Sequence, residues 1–214
     1  MAQTLAISQA ISSIAQLREK FNLTPTDNDQ FFTEWFQDLP DLTDEEKTSL
    51  DKIKHQFSRH RDRGELAEGT VNLLLVSRLL ELASFFDDPF FIKTEPQVEI
   101  LLEDRDEILR GRIDTLVIQE GLWVLVVESK RSISFAAAIP QALTYMMANP
   151  NNIQPVYGMV TDGDLFMFIK LLKQPPQYDF SDTFSLFLVR QNKLYDILRV
   201  LKQIAGLIAL GDRR

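Results

Sequence analysis

The sequence predicts an α/β fold: a mixed central sheet of about five strands with helices on both faces, preceded by an all-helical N-terminal extension over residues 1–63. Three observations predict it. From Gly64 onward, apolar segments of helical length alternate with short β-type segments. The central β-type segments are apolar on both faces, which is typical of strands that helices cover on both sides. Before Gly64, apolar residues recur only at helical spacing.

The N-terminal extension contains three predicted helices. The first, TLAISQAISSIAQLREKF, has an apolar stripe that includes Ile7 and Leu17. A short aromatic helix follows at FFTEWFQDL, where core or dimer contacts are favoured over base stacking. The third, LTDEEKTSLDKIKHQFSRHRDR, opens with a capping box of Thr43 and Glu46. These helices could also form a homodimer surface.

Residues 64–214 are predicted as a second domain, in the order helix, three strands, helix, two strands, helix. Its first helix, GELAEGTVNLLLVSRLLELASFF, is broken by an Asp-Asp-Pro sequence. The five strands are TEPQVEILLED, EILRGRIDTLVI, LWVLVVESK, QPVYGMVT and DLFMFIKLL, with TFSLFLV as a possible sixth. The later helices are AIPQALTYMMAN and LYDILRVLKQIAGLIAL.

The amino-acid composition excludes several kinds of catalytic and metal-binding site. The 214 residues include no cysteine and two histidines, which excludes thiolate nucleophiles and Cys- or His-rich metal sites. A bound cation would therefore be a hard ion held by oxygen, such as Mg²⁺ or Mn²⁺. With no signal peptide or membrane span in the sequence, we expect a soluble, cytoplasmic protein without a membrane partner. The net charge of −8 disfavours a simple nucleic-acid binder.

Three charged residues lie in two neighbouring predicted strands. Glu128 and Lys130 are two residues apart at the end of an apolar strand, so both project to one side. Asp114 interrupts the apolar run of the preceding strand. Phosphodiester hydrolysis needs a cation to neutralise phosphate and acidify water, and two carboxylates can hold it. A nearby lysine can act on the attacking water.

The segment GRIDTLVIQEGLWVLVVESKR resembles the PD-(D/E)xK nuclease superfamily, most closely the N-terminal nuclease domain of type I restriction enzyme R subunits. The resemblance covers approximately residues 64–170 and implies a restriction-endonuclease-like core. It implies DNA hydrolysis with Mg²⁺ or Mn²⁺, with Asp114 and Glu128 as metal ligands and Lys130 as the catalytic lysine. Ile113 replaces the proline of the superfamily's name. The sequence has no P-loop, so the restriction role of those enzymes does not carry over.

The resemblance also implies supporting residues on two helices. Glu68 matches an acid on the first core helix, although it could be an ordinary first-turn acid, with Glu65 as a weaker substitute. Gln141 and Tyr145 match a Gln-x-x-x-Tyr motif on the helix after Glu-x-Lys. Gln141 is taken as a catalytic residue and Tyr145 as a nucleic-acid contact, although Tyr145 could simply pack in the core.

A basic segment could supply further nucleic-acid contacts. Lys54, Arg59, Arg61 and Arg63 lie on the third helix and just after it, as a candidate phosphate-contacting patch or a solvated helix face. The leading function is hydrolysis of DNA, with RNA also open. The alternatives are a catalytically inactive nuclease-fold module that binds nucleic acid or protein, and an oligomerising partner protein.

The register of the Asp114 and Glu128 strands is a further prediction. The two carboxylates share a face only if Asp114 lies opposite Glu128, or opposite a residue an even number of positions away from it. A three-residue loop, Gln119-Glu120-Gly121, would achieve this, with Gly121 at positive φ and Asp114 opposite Val126. Ile118 would then face Leu122. The register places Leu116, Ile118, Val124 and Val126 on the site's face, and Val117, Trp123, Leu125 and Val127 on the other.

Overall fold

The fold consists of two β-sheets and the helices that cover them. The computed structural model describes residues 3–102, 107–119, 122–129, 135–188 and 190–211. The strands are β1 (Gln3–Ala6), β2 (Thr24–Pro25), β3 (Phe90–Thr94), β4 (Gln97–Leu102), β5 (Glu107–Arg112), β6 (Thr115–Gln119), β7 (Leu122–Ser129), β8 (Val156–Thr161), β9 (Leu165–Lys173), β10 (Pro176–Phe180) and β11 (Phe184–Ser185). The helices are α1 (Ile7–Ala10), α2 (Ile14–Phe21), α3 (Asp44–Arg61), α4 (Glu68–Val71), α5 (Ser77–Leu82), α6 (Phe135–Met147) and α7 (Leu194–Gly211). In the described chain, no helix is both long and apolar enough to cross a bilayer.

The large sheet is mixed, which confirms the predicted α/β class. Its strand order is β2-β10-β9-β8-β7-β6-β3, with β11 added on β9. Strands β7 and β8 are parallel, whereas β6–β7 and β8–β9 are antiparallel. A separate three-stranded sheet has the order β1-β5-β4.

Helices cover the large sheet on both faces, as the doubly apolar strands predict. On one face, Phe57 of α3, Leu79 of α5 and Leu198 of α7 share a core with Val117 and Val127. We call this the α3 face.

On the opposite face, α6 contributes Leu143 and Met146, and α2 contributes Leu17. They pack with Leu116 of β6 and Val160 of β8. We call this the α6 face. The apolar stripe of the first predicted helix thus packs within the chain.

The N-terminal extension is not all-helical, which corrects the prediction. Strand β1 pairs in parallel with β5, and β2 pairs in parallel with β10. Such short strands have no residue periodicity that sequence analysis can detect. The aromatic segment forms turns instead of a helix, and both Phe31 and Phe32 are buried in the core. The domain boundary after residue 63 remains a prediction.

One further strand prediction was wrong in detail, and two more strands were missed. The segment EILRGRIDTLVI forms two strands, β5 in the small sheet and β6 in the large one. Strands β3 and β10 were not predicted at all. The sequence around β10, QPPQYDF, contains two prolines, which argue against a regular central strand. Strands β8 and β9 and helices α3, α6 and α7 are confirmed.

The predicted capping box of α3 is present. The Thr43 hydroxyl accepts a hydrogen bond from the Glu46 backbone N–H, and the Glu46 carboxylate accepts one from the Thr43 N–H at 2.7 Å. Lys202 of α7 also donates to the Glu46 carboxylate. Burial raises the pKa of Glu46, but the hydrogen bonds from Lys202 and Thr43 outweigh it and leave the pKa below its ordinary value of 4.5.

We expect Glu46→Gln to lower the free energy of unfolding by about 0.3–1 kcal/mol at neutral pH, because it removes a charge that favours the helix N-terminus and Lys202. A lowered folded-state pKa gives stability that is complete above pH 4.5 and is lost as the pH falls through the folded-state pKa. The difference in unfolding free energy between wild type and Glu46→Gln should therefore shrink as the pH is lowered. Urea unfolding across the acid range measures it, and a gap that widens toward low pH would contradict this account.

Candidate functional site

Asp114 lies at the corner where the chain leaves the small sheet and enters the large one. The corner is held by backbone hydrogen bonds to residues 95–96, which connect β3 and β4. The Glu95 N–H donates to the Asp114 carbonyl at 3.1 Å, and the Ile113 N–H donates to the Pro96 carbonyl at 3.1 Å. Ile113 is fully buried. The backbone of Asp114 is therefore fixed from both sides.

Glu128 lies near the end of β7, between β6 and β8. The carboxylate side chain is fully buried, and its parallel neighbour is Val160 on the α6 face. Burying a carboxylate is costly unless a cation or hydrogen-bond donors compensate its charge. Thr115 pairs with Val127, so the next position along the ladder sets Asp114 opposite Glu128. Directly opposed residues have Cα atoms about 4.5–5.5 Å apart.

The strand register brings residues 114 and 128 to the same face through a different pairing from the predicted one. Gln119 pairs with Leu122, so two residues connect the strands instead of three, and Ile118 faces Trp123. A register shift between Val117 and Ile118 then gives β7 one extra residue. Without the bulge, a two-residue connection would put residue 114 opposite residue 127 and on the other face from residue 128. The extra residue shifts the pairing by one position and brings 114 and 128 to the same face. The predicted positive φ of Gly121 lies outside the described residues.

The bulge also changes the assignment of side chains to faces. Leu116 and Ile118 belong to the α6-face core, and Val117 and Val127 to the α3-face core, as predicted. Trp123 was placed on the wrong face: it packs against the α6-face core, because the shift pairs it with Ile118. The side chains at 124–126 lie outside the described set.

Lys130, the remaining member of the constellation, lies outside the described residues. Its backbone position follows Ser129, the last residue of β7. The proposed role of Lys130 therefore rests on the sequence alone.

Gln141 and Tyr145 form a buried hydrogen-bonded pair on α6. The Gln141 side-chain amide donates to the Tyr145 hydroxyl at 2.9 Å, and that hydroxyl also accepts from the Arg112 backbone N–H at 3.2 Å. Gly111 makes room for the Tyr145 ring, since a Cβ there would lie 2.7 Å from the ring. Tyr145 is 2% exposed, so this placement supports a role in positioning the Asp114 corner instead of the expected nucleic-acid contact.

Glu68 is the first residue of α4 and is half-buried. One turn further along, Val71 lies against Gly163, in the β8–β9 turn. Because β8 is parallel to β7 and Thr161 pairs with Ser129, this turn lies at the same end of the sheet as Glu128. Glu68 is therefore near that end, on the α3 face.

The predicted continuous first helix contains a π-helical turn, Asn72–Val76, between α4 and α5. Such turns inside a helix occur frequently at functional sites. Asn72 lies beside a cleft of about 410 Å³ that Asp114 also lines. Sequence analysis missed Asn72 as a site residue, although a polar residue one turn after Glu68 on an apolar face was the available signal.

The basic residues divide into two groups. Lys54 donates to the carbonyls of Leu188 and Gln191, and Arg61 forms an ion pair with Asp164 at 2.7 Å. Burial lowers the pKa of Lys54; the charge of Asp51 opposes this shift, and the charge of Arg61 adds to it. These two side chains bind other parts of the chain, and their assignment as phosphate contacts stays a prediction.

Arg59 and Arg63 are exposed, and neither forms an ion pair within the described part of the chain. The Arg61–Asp164 ion pair fixes the end of α3 at the β8–β9 turn. The two exposed arginines therefore lie near the end of the sheet where β7 ends. They remain candidate phosphate contacts.

Among the described residues, no three acidic or histidine side chains form a ready metal-binding group, and the two-carboxylate hypothesis does not require one. Comparison with protein-family models, curated proteins and solved structures finds no match to this chain.

Proposed function

We propose that this protein is a metal-dependent nuclease that hydrolyses DNA phosphodiester bonds at Asp114 and Glu128. The supporting observation is the β6–β7 register: Thr115 pairs with Val127 at the end of the ladder, so residues 114 and 128 are the next positions beyond it. A fully buried Glu128 beside a second carboxylate is a donor set of hard oxygens, which suits Mg²⁺ or Mn²⁺. We also propose a restriction-endonuclease-like core, supported by the mixed central sheet with helices on both faces.

Different residues of the chain would carry out different parts of the reaction. A bound cation supplies charge neutralisation at the phosphate and lowers the pKa of water. Asp114 and Glu128 would hold it, with Gln141 and Tyr145 keeping the Asp114 corner in place through the Arg112 N–H. Lys130 would orient or deprotonate the attacking water and stabilise charge on the phosphate.

The deciding experiment incubates the purified protein with linear, nicked and single-stranded DNA in Mg²⁺ or Mn²⁺. A matched pair of variants accompanies it: Asp114→Asn at the site and Asp182→Asn at an exposed loop position. Cleavage by wild type and Asp182→Asn, but not by Asp114→Asn or with EDTA, is the expected result. Equal cleavage by all three proteins would assign the activity to a contaminant or another site.

The second candidate is a catalytically inactive nuclease-fold module that binds nucleic acid or protein. The net charge of −8 favours the protein-binding form of this candidate, because an acidic chain repels a polyanion. DNA binding without cleavage in both cations would support this candidate over the nuclease.

A prediction about the basic segment separates binding from folding. We expect the double variant Arg59→Ala/Arg63→Ala to weaken DNA binding and to reduce the slope of log affinity against log salt by about 0.9 for each lost phosphate contact. Its stability should change by less than about 0.5 kcal/mol, because both side chains are exposed.

Arg61→Ala serves as the contrast. It leaves Asp164 without its ion pair and removes the guanidinium 5.2 Å from the Phe187 ring centroid. We expect a loss of stability of about 1–3 kcal/mol. An unchanged salt slope in the Arg59/Arg63 variant would remove those residues from the interface.

A further inference from the structure

The cleft beside Asp114 is a built cavity between the π-helical turn and the edge of the large sheet. It has a volume of about 410 Å³, within the range of small-molecule sites. One wall comes from the helix and the other from β3 and the start of β6. The lining residues used below are Asn72, Leu73, Phe86, Ile92, Glu95 and Asp114.

Two large apolar side chains at this cleft face solvent. Leu73 is 68% exposed and Phe86 is 53% exposed. Their neighbour Ile92 packs on the α3-face core, so the apolar surface continues from the core out to the rim. An exposed aromatic ring at the mouth of a cavity offers a flat face on which a planar ring can stack.

Asn72 lines the cleft, and its side-chain oxygen is buried and accepts no hydrogen bond from any described residue. A rotation of the side-chain amide toward the cleft would bring this oxygen within reach of a ligand. A buried acceptor without a donor is unfavourable. A planar ligand that carries ring N–H or amino groups, as nucleobases do, would supply the donor that Asn72 lacks.

The charges select which part of a nucleotide can enter. Asp114 and Glu95 line the cleft, with Glu95 ion-paired to Arg112 at 3.0 Å, and the described residues that line the cleft include no lysine or arginine that would attract a phosphate over a neutral base. Asp114 lies at the end of the sheet, between the cleft on the α3 face and Glu128, whose neighbour Val160 is on the α6 face, so a base in the cleft would leave its own phosphate near the Asp114 corner.

We propose that the cleft binds an unpaired nucleobase of the strand that is cut, stacked on Phe86 and hydrogen-bonded to Asn72. The inference rests on the proposed nuclease function and specifies its substrate: single-stranded or frayed nucleic acid next to the scissile phosphate. A base inside an intact duplex would first have to unstack and unpair, which costs free energy.

The test measures base binding without chemistry. A single-stranded DNA oligonucleotide containing 2-aminopurine is titrated with protein in EDTA, and its fluorescence reports stacking. We expect quenching with wild type and about 5- to 150-fold weaker binding with Phe86→Ala, which loses one base–aromatic stack. Phe86→Trp should retain the quenching.

Phe91→Ala is the matched control. Phe91 is 62% exposed on β3 and pairs with Ile118, so it points to the α6 face, away from the cleft. We expect its affinity to stay within about twofold of wild type, since no base stack is lost. Equal losses in Phe86→Ala and Phe91→Ala, or no loss in either, would overturn the proposal. So would equally tight binding to a blunt duplex of the same sequence.

The outcomes separate this inference from the proposed function. If wild type cleaves DNA but quenching does not depend on Phe86, the cleft inference fails and the nuclease stands. If quenching depends on Phe86 but cleavage is absent in Mg²⁺ and Mn²⁺, the base site stands and the nuclease fails.

Discussion

Replacing Asp114 with asparagine or Glu128 with glutamine should abolish cation binding at the site and, with it, DNA cleavage. Both variants remove a negative oxygen ligand and keep the side-chain volume, which matters for Glu128 because that residue is fully buried. Calorimetric titration with Mn²⁺ beside a cleavage assay measures both properties. Cation binding of wild-type strength in either variant would show that the carboxylates do not hold the metal.

Lys130→Ala should separate the two properties. Lysine is not a metal ligand, so the cation should still bind, and binding could tighten without the nearby positive charge. Cleavage should fall by orders of magnitude, because the residue would act on the water and the phosphate. Glu68→Ala should show a milder loss of cleavage. Equal cleavage by wild type and Lys130→Ala would assign the activity elsewhere.

The largest expected effect on stability is at Lys170 of β9. Its ammonium group forms an ion pair with Glu34, with the two side chains 14% and 13% exposed. The Tyr157 hydroxyl donates to the same carboxylate at 2.9 Å, and the ammonium lies 5.4 Å from the Phe31 ring centroid. Burial, and then the charge of Glu34, raise the pKa of Tyr157, so this tyrosine stays neutral. These contacts hold the aromatic N-terminal segment against the sheet.

We expect Lys170→Met to lower the free energy of unfolding by about 3–5 kcal/mol, because it leaves the buried Glu34 carboxylate without its counter-ion. The double variant Lys170→Met/Glu34→Leu should recover most of that loss, since the unpaired charge is gone. Urea unfolding of the four proteins in the cycle measures the coupling. Additive effects of the two substitutions would contradict a charge-driven interaction.

The predictable parts of the fold are those with a repeating residue pattern. Helix α3 has its capping box at Thr43, and β8 and β9 are long apolar runs separated by the Asp162–Gly163 turn. The break at Asp114 was not predictable in the same way. Alternation of side chains continues through the corner from β5 into β6, and alternation does not report which sheet a strand belongs to.

The residues of the candidate site were predicted, and their geometry was predicted only in part. The sequence analysis required the strand pairing to put Asp114 and Glu128 on one face, but through a three-residue loop and not through the observed bulge. The bulge and the cleft depend on packing between distant segments, such as Asn72 against the strand edge. The roles of Tyr145, Lys54 and Arg61 depend on which partner each side chain meets, and residue type alone does not determine that.

The bulge in β7 makes the hairpin sensitive to single-residue length changes in an unequal way. Deleting residue 124 would leave Trp123 opposite Ile118 and Leu125 opposite Val117, now as neighbouring pairs of a regular ladder. Glu128 would keep its place on the α6 face. Deleting a residue between Leu125 and Glu128 would instead shift the pairing by one position and turn Glu128 toward the α3 face. We therefore expect the hairpin to tolerate loss of the bulge residue, and not loss of a residue in the paired segment that follows it.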